Sequence, residues 1–212
     1  MAQPHSAIRG LYAITDGPRD DLVDACAAAL EGGASLLQYR DKAGDDARRL
    51  REARALQALC VRHGVPLLVN DDIELAQRVG AAGVHLGADD ASPAEARARL
   101  GEHALIGVSC YDSLERARAL AADRARIDYL AFGAFFPSPT KPAARRATPA
   151  LLQEARAFGL PLVAIGGVDA GNGRVLVDAG ADALAVVSAL FGAHDVRAAA
   201  RRIASLFESR GS

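Results

Sequence analysis

The sequence lacks several features that mark large classes of protein. It has no tryptophan, only 5% of its 212 residues are aromatic, and its three cysteines are odd in number. The cysteines also stand far apart with no CxxC pair, which argues against a disulfide framework or a zinc site. The formal net charge is -1, so no overall field favours nucleic acid or an anionic membrane. Any site for an anion must therefore be local.

The sequence also shows no long apolar run, and we expect no secretory leader. No stretch of about 18 apolar residues is present, which predicts that the protein has no membrane span. The opening stretch MAQPHSAIRG contains no apolar core of the kind that a signal peptide needs. We therefore expect a cytoplasmic protein that binds neither membrane nor nucleic acid.

Short apolar runs alternate with longer helical patterns along the whole sequence. Eight runs are predicted to be strands, at 11–15, 35–39, 66–70, 83–87, 105–109, 129–133, 162–166 and 184–188. The clearest helix is predicted over 45–63, with Asp45 as its N-cap and Gly64 as its stop signal. Two further helices are predicted over 113–122 and 195–207.

This alternation of strand and helix predicts parallel strands joined by right-handed crossovers. Eight such units indicate a (β/α)8 TIM barrel of the α/β class, near the lower size limit of that fold. We expect one domain over residues 1–212, with frayed ends at 1–8 and 209–212. An open doubly wound sheet is the alternative architecture.

The segment LLQYRDK places polar side chains directly after an apolar strand. Leu36 and Leu37 belong to the apolar part, whereas Gln38, Arg40 and Lys42 stand at alternate positions. Residues at alternate positions of a strand share one face, and an amide with two cations would be costly in a core. In a barrel of this kind the catalytic groups lie at the C-terminal ends of the strands, so we expect this face to meet a ligand.

Acidic residues follow the next two predicted strands. Asp71 and Asp90 are hard oxygen ligands of the kind that Mg²⁺ prefers, and with the neighbouring cations they describe a pocket for a diphosphate. Each also has a structural alternative. Asp71 or Asp72 could cap the third helix, and Asp89 or Asp90 could supply negative charge at the start of the fourth helix.

A second anion site is expected at the ends of the seventh and eighth strands. Gly166 and Gly167 would let main-chain N–H groups approach a phosphate there, and Ser188 ends the eighth strand. Two phosphate sites on one rim predict two phosphorylated substrates. His85, inside the fourth strand, is interpreted as a histidine with satisfied hydrogen bonds and not as a metal ligand.

Six motifs occur in order along the chain. They are QxRxK at 38–42, VNDD at 69–72, GVHLGADD at 83–90, GVSC at 107–110, FFPSPTK at 135–141 and AIGGV at 164–168. Together they make the chain resemble the thiamine-phosphate synthase family over nearly its whole length. The resemblance implies a transferase with one Mg²⁺ per subunit. In the implied reaction, a thiazole phosphate displaces diphosphate from a hydroxymethylpyrimidine diphosphate by a dissociative, carbocation-like path.

The resemblance also implies a role for each site residue. The residues implied to bind the pyrimidine diphosphate are Gln38, Tyr39, Arg40, Asp41, Lys42, Asn70, Ser109 and Lys141. Those implied to bind the thiazole phosphate are Ser138, Pro139, Thr140, Gly167, Val187 and Ser188. The implied magnesium ligands are Asp71 and Asp90, and the implied catalytic set is Arg40, Lys42, Ser109 and Lys141. The chain departs from the family pattern at Ser138, where a threonine is usual, and at Ala88, where a glutamine is frequent.

Other functions are weighed against this one. A thiazole tautomerase would share the fold, but its proton-transfer histidine would fall where this chain has Cys110, Tyr111 and Asp112. A lyase that forms a Schiff base through Lys141 would need an apolar pocket around that lysine. A non-catalytic barrel that binds a phosphate ligand would not need the pair of metal carboxylates. The sequence leaves open whether the protein forms a homo-oligomer and whether the thiazole is carboxylated.

Overall fold

A closed parallel β-barrel forms the centre of the molecule. The computed structural model describes residues 8–123, 126–137 and 146–210. The strands are β1 Gly10–Ile14, β2 Ala34–Tyr39, β3 Leu67–Asn70, β4 Gly83–Leu86, β5 Leu105–Tyr111, β6 Tyr129–Phe132, β7 Leu162–Ile165 and β8 Ala183–Val186. Each strand pairs in parallel with the next, and β8 pairs with β1. The (β/α)8 barrel is confirmed, and closure excludes the open doubly wound sheet.

Helices surround the barrel. They are α1 Leu22–Glu31, α2 Asp46–His63, α3 Ile73–Val79, α4 Pro93–Leu100, α5 Leu114–Ala121, α6 Pro149–Ala155, α7 Gly173–Asp178, α8 Ser188–Phe191 and α9 Val196–Ala204. Helix α2 has the predicted ends, since Asp45 accepts a hydrogen bond from the N–H of Arg48 at 2.9 Å and Gly64 has a φ of 65°. The helix predicted over 195–207 ends at Ala204 and continues as a 3-10 helix over Ser205–Arg210.

Two hydrophobic layers stabilise the barrel, because successive side chains of a strand point to opposite sides of its wall. The inner layer fills the barrel and includes Tyr12, Leu36 and Tyr129. The outer layer, which includes Leu37 and Leu130, packs against the helices. The same alternation continues to the strand ends, where the inward-pointing side chains leave the packed interior.

The cysteines behave as their spacing predicts. Cys26, Cys60 and Cys110 are all free and buried. Burial raises the pKa of each thiol to about 12, so none is a thiolate at neutral pH.

The N-terminal boundary differs slightly from the expected one. Ile8, predicted to belong to the frayed end, is buried in the inner layer of the barrel. Residues 1–7, 211 and 212 lie outside the described residues. No helix in the described ranges has both the length and the apolar character needed to cross a membrane.

Candidate active site

A cavity of about 390 Å³ opens at the C-terminal end of the barrel. Its wall is built from strand ends and from the residues that follow them: Gln38, Arg40, Asn70, His85, Ser109, Gly166, Gly167, Val187 and Ser188. A volume of this order suits a small organic ligand. The fold therefore brings together residues that lie far apart in the sequence, most of which were predicted to share one rim. The predicted Lys42, Asp71 and Asp90 are not among the residues that line this cavity.

Arg40 contributes a positive charge to this cavity. Its main chain is held by the Thr15 hydroxyl, which accepts from the Arg40 N–H at 2.8 Å and donates to the Arg40 carbonyl at 3.0 Å. Within the described ranges its guanidinium makes no ion pair and no hydrogen bond, and it lines the cavity wall. A guanidinium in this setting is available for bidentate binding of a phosphate group.

Tyr39 and Asp41 point the other way, towards helix α2. The Tyr39 hydroxyl donates to Glu52 at 2.6 Å, and the fully buried Asp41 carboxylate lies 2.7 Å from the Arg48 guanidinium. Asp41 also accepts a hydrogen bond from the N–H of Ala43 at 2.8 Å. Their predicted contact with the diphosphate stays a prediction, and it would have to be made by main-chain atoms. The side chains themselves fix the turn that carries Arg40.

Asp71 has an unusual main-chain conformation at the end of β3. Its φ is 63°, in the left-handed region that few residues other than glycine adopt. Its N–H donates to the His85 carbonyl at 2.9 Å, and its carboxylate accepts a hydrogen bond from the Asn70 amide and lies 3.4 Å from the Lys42 ammonium. Strained conformations of this kind persist where the surroundings hold a side chain in place for function.

Asp90 faces Asp71 across the rim. Burial, and next the adjacent carboxylate of Asp90, raise the pKa of Asp71 to about 6, although Lys42 acts in the opposite direction. Asp90 is held by the N–H of Gly87 at 2.7 Å. The described residues contain no group of three or more His, Cys, Asp or Glu side chains that could bind a metal. The arrangement is therefore a pair of mutually repelling carboxylates, which a hard cation would stabilise.

The structural alternatives for these aspartates can now be assigned. Asp72 caps α3 by accepting from the N–H of Leu75 at 2.8 Å, and it also pairs with Arg49 at 2.9 Å. Helix α4 is capped by Ser92, which accepts from the N–H of Glu95 at 3.1 Å. Asp71 and Asp90 therefore cap neither helix. Negative charge from Asp89 or Asp90 at the start of α4 stays an alternative, because the Ser92 cap does not test it.

The glycines after β7 are required by the main chain around them. Gly166 and Gly167 have φ values of 99° and 67°, and a Cβ on Gly167 would lie 2.4 Å from the carbonyl oxygen of Pro137. They allow the segment after β6 to pass closely over the end of β7. Val187 and Ser188 line the same side of the cavity. The phosphate site predicted there stays a prediction.

The predicted site residues of the loop after β6 are not described by the structure. Ser138, Pro139, Thr140 and Lys141 lie outside the described residues. Pro137, the last described residue before them, lines the cavity.

A chain of hydrogen bonds crosses the barrel along the wall of the cavity. The Gln38 amide donates to the Tyr12 hydroxyl, which lies 2.9 Å from that of Tyr129. The Tyr129 hydroxyl lies 2.9 Å from Nδ1 of His85, and Nε2 of His85 lies 2.9 Å from the Ser109 hydroxyl. Both ring nitrogens of His85 are thus satisfied, as predicted, and burial lowers the pKa of His85 to about 4. We name this set the Gln38–Ser109 chain.

The comparison with known proteins agrees with this geometry. Residues 11–190 match the model of a family described as thiamine monophosphate synthase. The chain belongs to the thiamine monophosphate synthase family. The match covers every strand of the barrel except the first residue of β1.

Members of the thiamine monophosphate synthase family resemble the chain over nearly its full length. A thiamine-phosphate synthase of Chromobacterium violaceum is 56% identical over 205 residues, which are 96% of this chain and 98% of that protein. Another, of Halorhodospira halophila, is 54% identical over 98% of this chain and 99% of its own length. The solved structure of a thiamine phosphate pyrophosphorylase from Pyrococcus furiosus has a TM-score of 0.85 and 32% identity, covering 97% of this chain and 98% of that one.

Proposed function

We propose that the protein is a thiamine-phosphate synthase. It would join a hydroxymethylpyrimidine diphosphate to a hydroxyethylthiazole phosphate and release thiamine phosphate and diphosphate. If the thiazole is carboxylated, CO₂ is released as well. The observation that carries the proposal is one rim that holds both the guanidinium of Arg40, which makes no ion pair with the described residues, and the carboxylate pair of Asp71 and Asp90. Family membership supports the same reaction.

The main catalytic requirement of this reaction is stabilisation of the diphosphate leaving group. The attacking thiazole nitrogen already carries a lone pair, so no general base is needed. The diphosphate gains negative charge as its bond to carbon breaks, and fixed cations aimed at that charge lower the barrier. We propose this role for Arg40, Lys42 and Lys141. The aminopyrimidine can delocalise the developing positive charge, which favours a dissociative path.

The donor set at the rim fits Mg²⁺. Asp71 and Asp90 supply hard oxygen ligands, and their mutual repulsion would be relieved by a divalent cation. One ion per subunit, bound by these residues and by the diphosphate, would supply electrophilic stabilisation of the departing oxygens. Lys42, 3.4 Å from Asp71, would then be free to turn towards the phosphates.

The rival functions find less support in this site. Where a tautomerase would need its proton-transfer histidine, the side chain of Cys110 is buried and burial raises its thiol pKa to about 12. Lys42 has a side chain that is 64% exposed, which is unlike the apolar pocket that a Schiff-base lysine needs. Borohydride trapping with substrate tests the same role for Lys141.

A reconstituted reaction tests the proposal directly. The protein is mixed with both phosphorylated substrates and Mg²⁺, and the release of diphosphate and the formation of thiamine phosphate are measured. We expect equal amounts of the two products, and loss of both when EDTA is added. Diphosphate released without thiamine phosphate would indicate a hydrolase, and no Mg²⁺-dependent product at all would refute the proposal.

The outward position of Tyr39 gives a separate prediction. Replacing Tyr39 with phenylalanine removes its hydrogen bond to Glu52, so we expect a loss of about 1 kcal/mol in the free energy of unfolding. The KM for the pyrimidine diphosphate should stay within about twofold, because the ring pairs with α2 and not with the cavity. Chemical denaturation and steady-state kinetics measure the two effects. A KM that rises tenfold with unchanged stability would contradict this placement.

A further inference from the structure

The corner of the barrel where β1 and β2 end contains several buried polar side chains. Leaving tyrosine and cysteine aside, four residues with polar or charged side chains are buried in the described ranges, and three of them are Thr15, Gln38 and Asp41. Thr15 comes directly after β1, and Asp41 follows β2 by two residues. Because a buried polar group is costly unless it is hydrogen-bonded, each of these side chains needs a specific partner.

The Thr15 hydroxyl continues the pairing of β1 with β2 beyond the end of the main-chain ladder. Ile14 is in register with Gln38, and the Thr15 N–H donates to the Gln38 carbonyl at 3.0 Å. In a regular parallel ladder the Arg40 N–H would next donate to the Thr15 carbonyl. Instead it donates to the Thr15 hydroxyl at 2.8 Å, and this hydroxyl donates to the Arg40 carbonyl at 3.0 Å. One side chain thus binds both main-chain polar groups of Arg40.

This arrangement limits how Arg40 can bind an anion. A phosphate oxygen accepts hydrogen bonds, and the single main-chain donor of Arg40 is already used inside the fold. The guanidinium, which lines the cavity, is therefore the group of Arg40 that can bind a phosphate. Because it stands at the end of a long side chain, a small rotation of the main chain at Arg40 displaces the guanidinium by a larger distance.

The turn that follows Arg40 is fixed from the opposite side. The Asp41 carboxylate pairs with Arg48 at 2.7 Å and accepts a hydrogen bond from the Ala43 N–H at 2.8 Å. These contacts hold the residues after Arg40, whereas Thr15 holds Arg40 itself. Such precision matters for a catalytic charge, since a misplacement of about 1 Å can lower a rate by about 10²-fold.

We propose that Thr15 is a positioning residue for the reaction and that it acts through Arg40. Its hydroxyl holds the Arg40 main chain so that the guanidinium is directed into the cavity, towards the diphosphate. The role of Thr15 rests on the proposed function, because the diphosphate is taken as the anion that Arg40 binds. The hydroxyl of Thr15, and not the shape of its side chain, is then the feature that ligand binding requires.

A double-mutant cycle tests whether Thr15 acts through Arg40. The probe is inorganic diphosphate, and its dissociation constant in the presence of MgCl₂ is measured by calorimetry on the full-length protein. Thr15→Val nearly keeps the shape of the side chain but removes the hydroxyl, and we expect it to weaken binding by about tenfold. In the Arg40→Ala background the same substitution should weaken binding by less than about twofold, because the group that Thr15 positions is absent.

The melting temperature and two further variants separate positioning from stability. The loss of melting temperature caused by Thr15→Val should be the same in both backgrounds, because it comes from the buried main chain and not from the guanidinium. Thr15→Ser keeps the hydroxyl, so it should bind diphosphate within about twofold of the unsubstituted protein. Leu37→Val is the matched structural control, because Leu37 neighbours Gln38 on β2 but packs in the outer layer. It should lower the melting temperature and leave the dissociation constant unchanged.

The outcomes distinguish this inference from the proposed function. The inference is overturned if Thr15→Val weakens binding equally in the Arg40→Ala background, or if Thr15→Val binds diphosphate as tightly as the unsubstituted protein. If Thr15→Val does not fold, Thr15→Ser decides: retained affinity supports the inference, and a loss as large as that of Arg40→Ala overturns it. Failure to form thiamine phosphate, with the cycle as expected, overturns the proposed function alone.

Discussion

Replacing Arg40 with alanine is expected to lower kcat/KM for the pyrimidine diphosphate by about 10²- to 10³-fold, the usual effect of removing one group that stabilises transition-state charge. The melting temperature should stay within about 2 °C of the original, because no folded-state contact of the guanidinium is lost within the described residues. Steady-state kinetics and calorimetry measure the two effects. Arg40→Lys keeps the charge but loses the planar fork, so its activity should be intermediate.

Arg48 provides the matched contrast. It is close to Arg40 in sequence, but its guanidinium pairs with the buried carboxylate of Asp41 at 2.7 Å. Arg48→Ala leaves that carboxylate without its main partner, so it should lower stability more than Arg40→Ala does. Activity per folded molecule should change much less than in Arg40→Ala. If Arg40→Ala keeps its kcat/KM, or loses it only by melting, the assignment of Arg40 to the leaving group is wrong.

The contrast between these two arginines also shows how far the sequence could lead. A repeat of two residues along β2 predicted that Gln38, Arg40 and Lys42 share a face. Gln38 and Arg40 line the cavity, whereas Lys42 lies beside Asp71 and is not among the lining residues. The same repeat places Tyr39 and Asp41 on the opposite face, although the family motif runs through all five positions. The signal for their outward role lay in Arg48 and Glu52, spaced to share one face of α2. A continuous motif predicts that a segment belongs to the site. The two-residue repeat of the strand then decides which side chains of that segment point towards a ligand.

The Gln38–Ser109 chain could not be predicted from the sequence. Tyr12 and Tyr129 are 117 positions apart, and their contact depends on the register and closure of the barrel. A tyrosine within an apolar strand is predicted to be a core residue. The hydrogen-bond partner of its hydroxyl can be identified only from the three-dimensional arrangement. The one local signal was Gly107 inside an apolar strand, since such a glycine often marks the close approach of another group. The position of that group still required the register of three strands.

The second large effect is expected for Asp71→Asn. We expect the Mg²⁺-dependent rate to fall by at least about 10²-fold, because the substitution removes one of two charged ligands proposed for the metal. The fold should tolerate the change, since asparagine also adopts the left-handed conformation found at this position. The apparent Mg²⁺ affinity is measured from the rate at increasing MgCl₂, and it should weaken in parallel. Unchanged affinity with a lowered rate would contradict the role of Asp71 as a ligand.

The effect of Asp71→Asn on the stability of the metal-free protein gives a second, independent test. Burial and Asp90 raise the pKa of Asp71 from 3.8 to about 6, so the ionised carboxylate destabilises the metal-free fold above that pH. Without Mg²⁺, Asp71→Asn should therefore melt no lower than the original protein at pH 7. Any gain should shrink as the pH falls through 6 and vanish only below 3.8, where the original carboxyl is protonated in both the folded and the unfolded state.

Asp72, the next residue along the chain, separates a ligand from a cap. Asp72→Ala removes the N-cap of α3 and the ion pair with Arg49, so it should cost about 1–2 kcal/mol of stability. It should leave the Mg²⁺ dependence of the rate unchanged, because its carboxylate already has partners in the fold. Substitutions at two adjacent aspartates should thus have different effects. Asp71→Asn should lower the Mg²⁺-dependent rate, and Asp72→Ala should lower stability. If Asp72→Ala instead weakens Mg²⁺ binding and Asp71→Asn does not, the metal ligand at this strand end is Asp72.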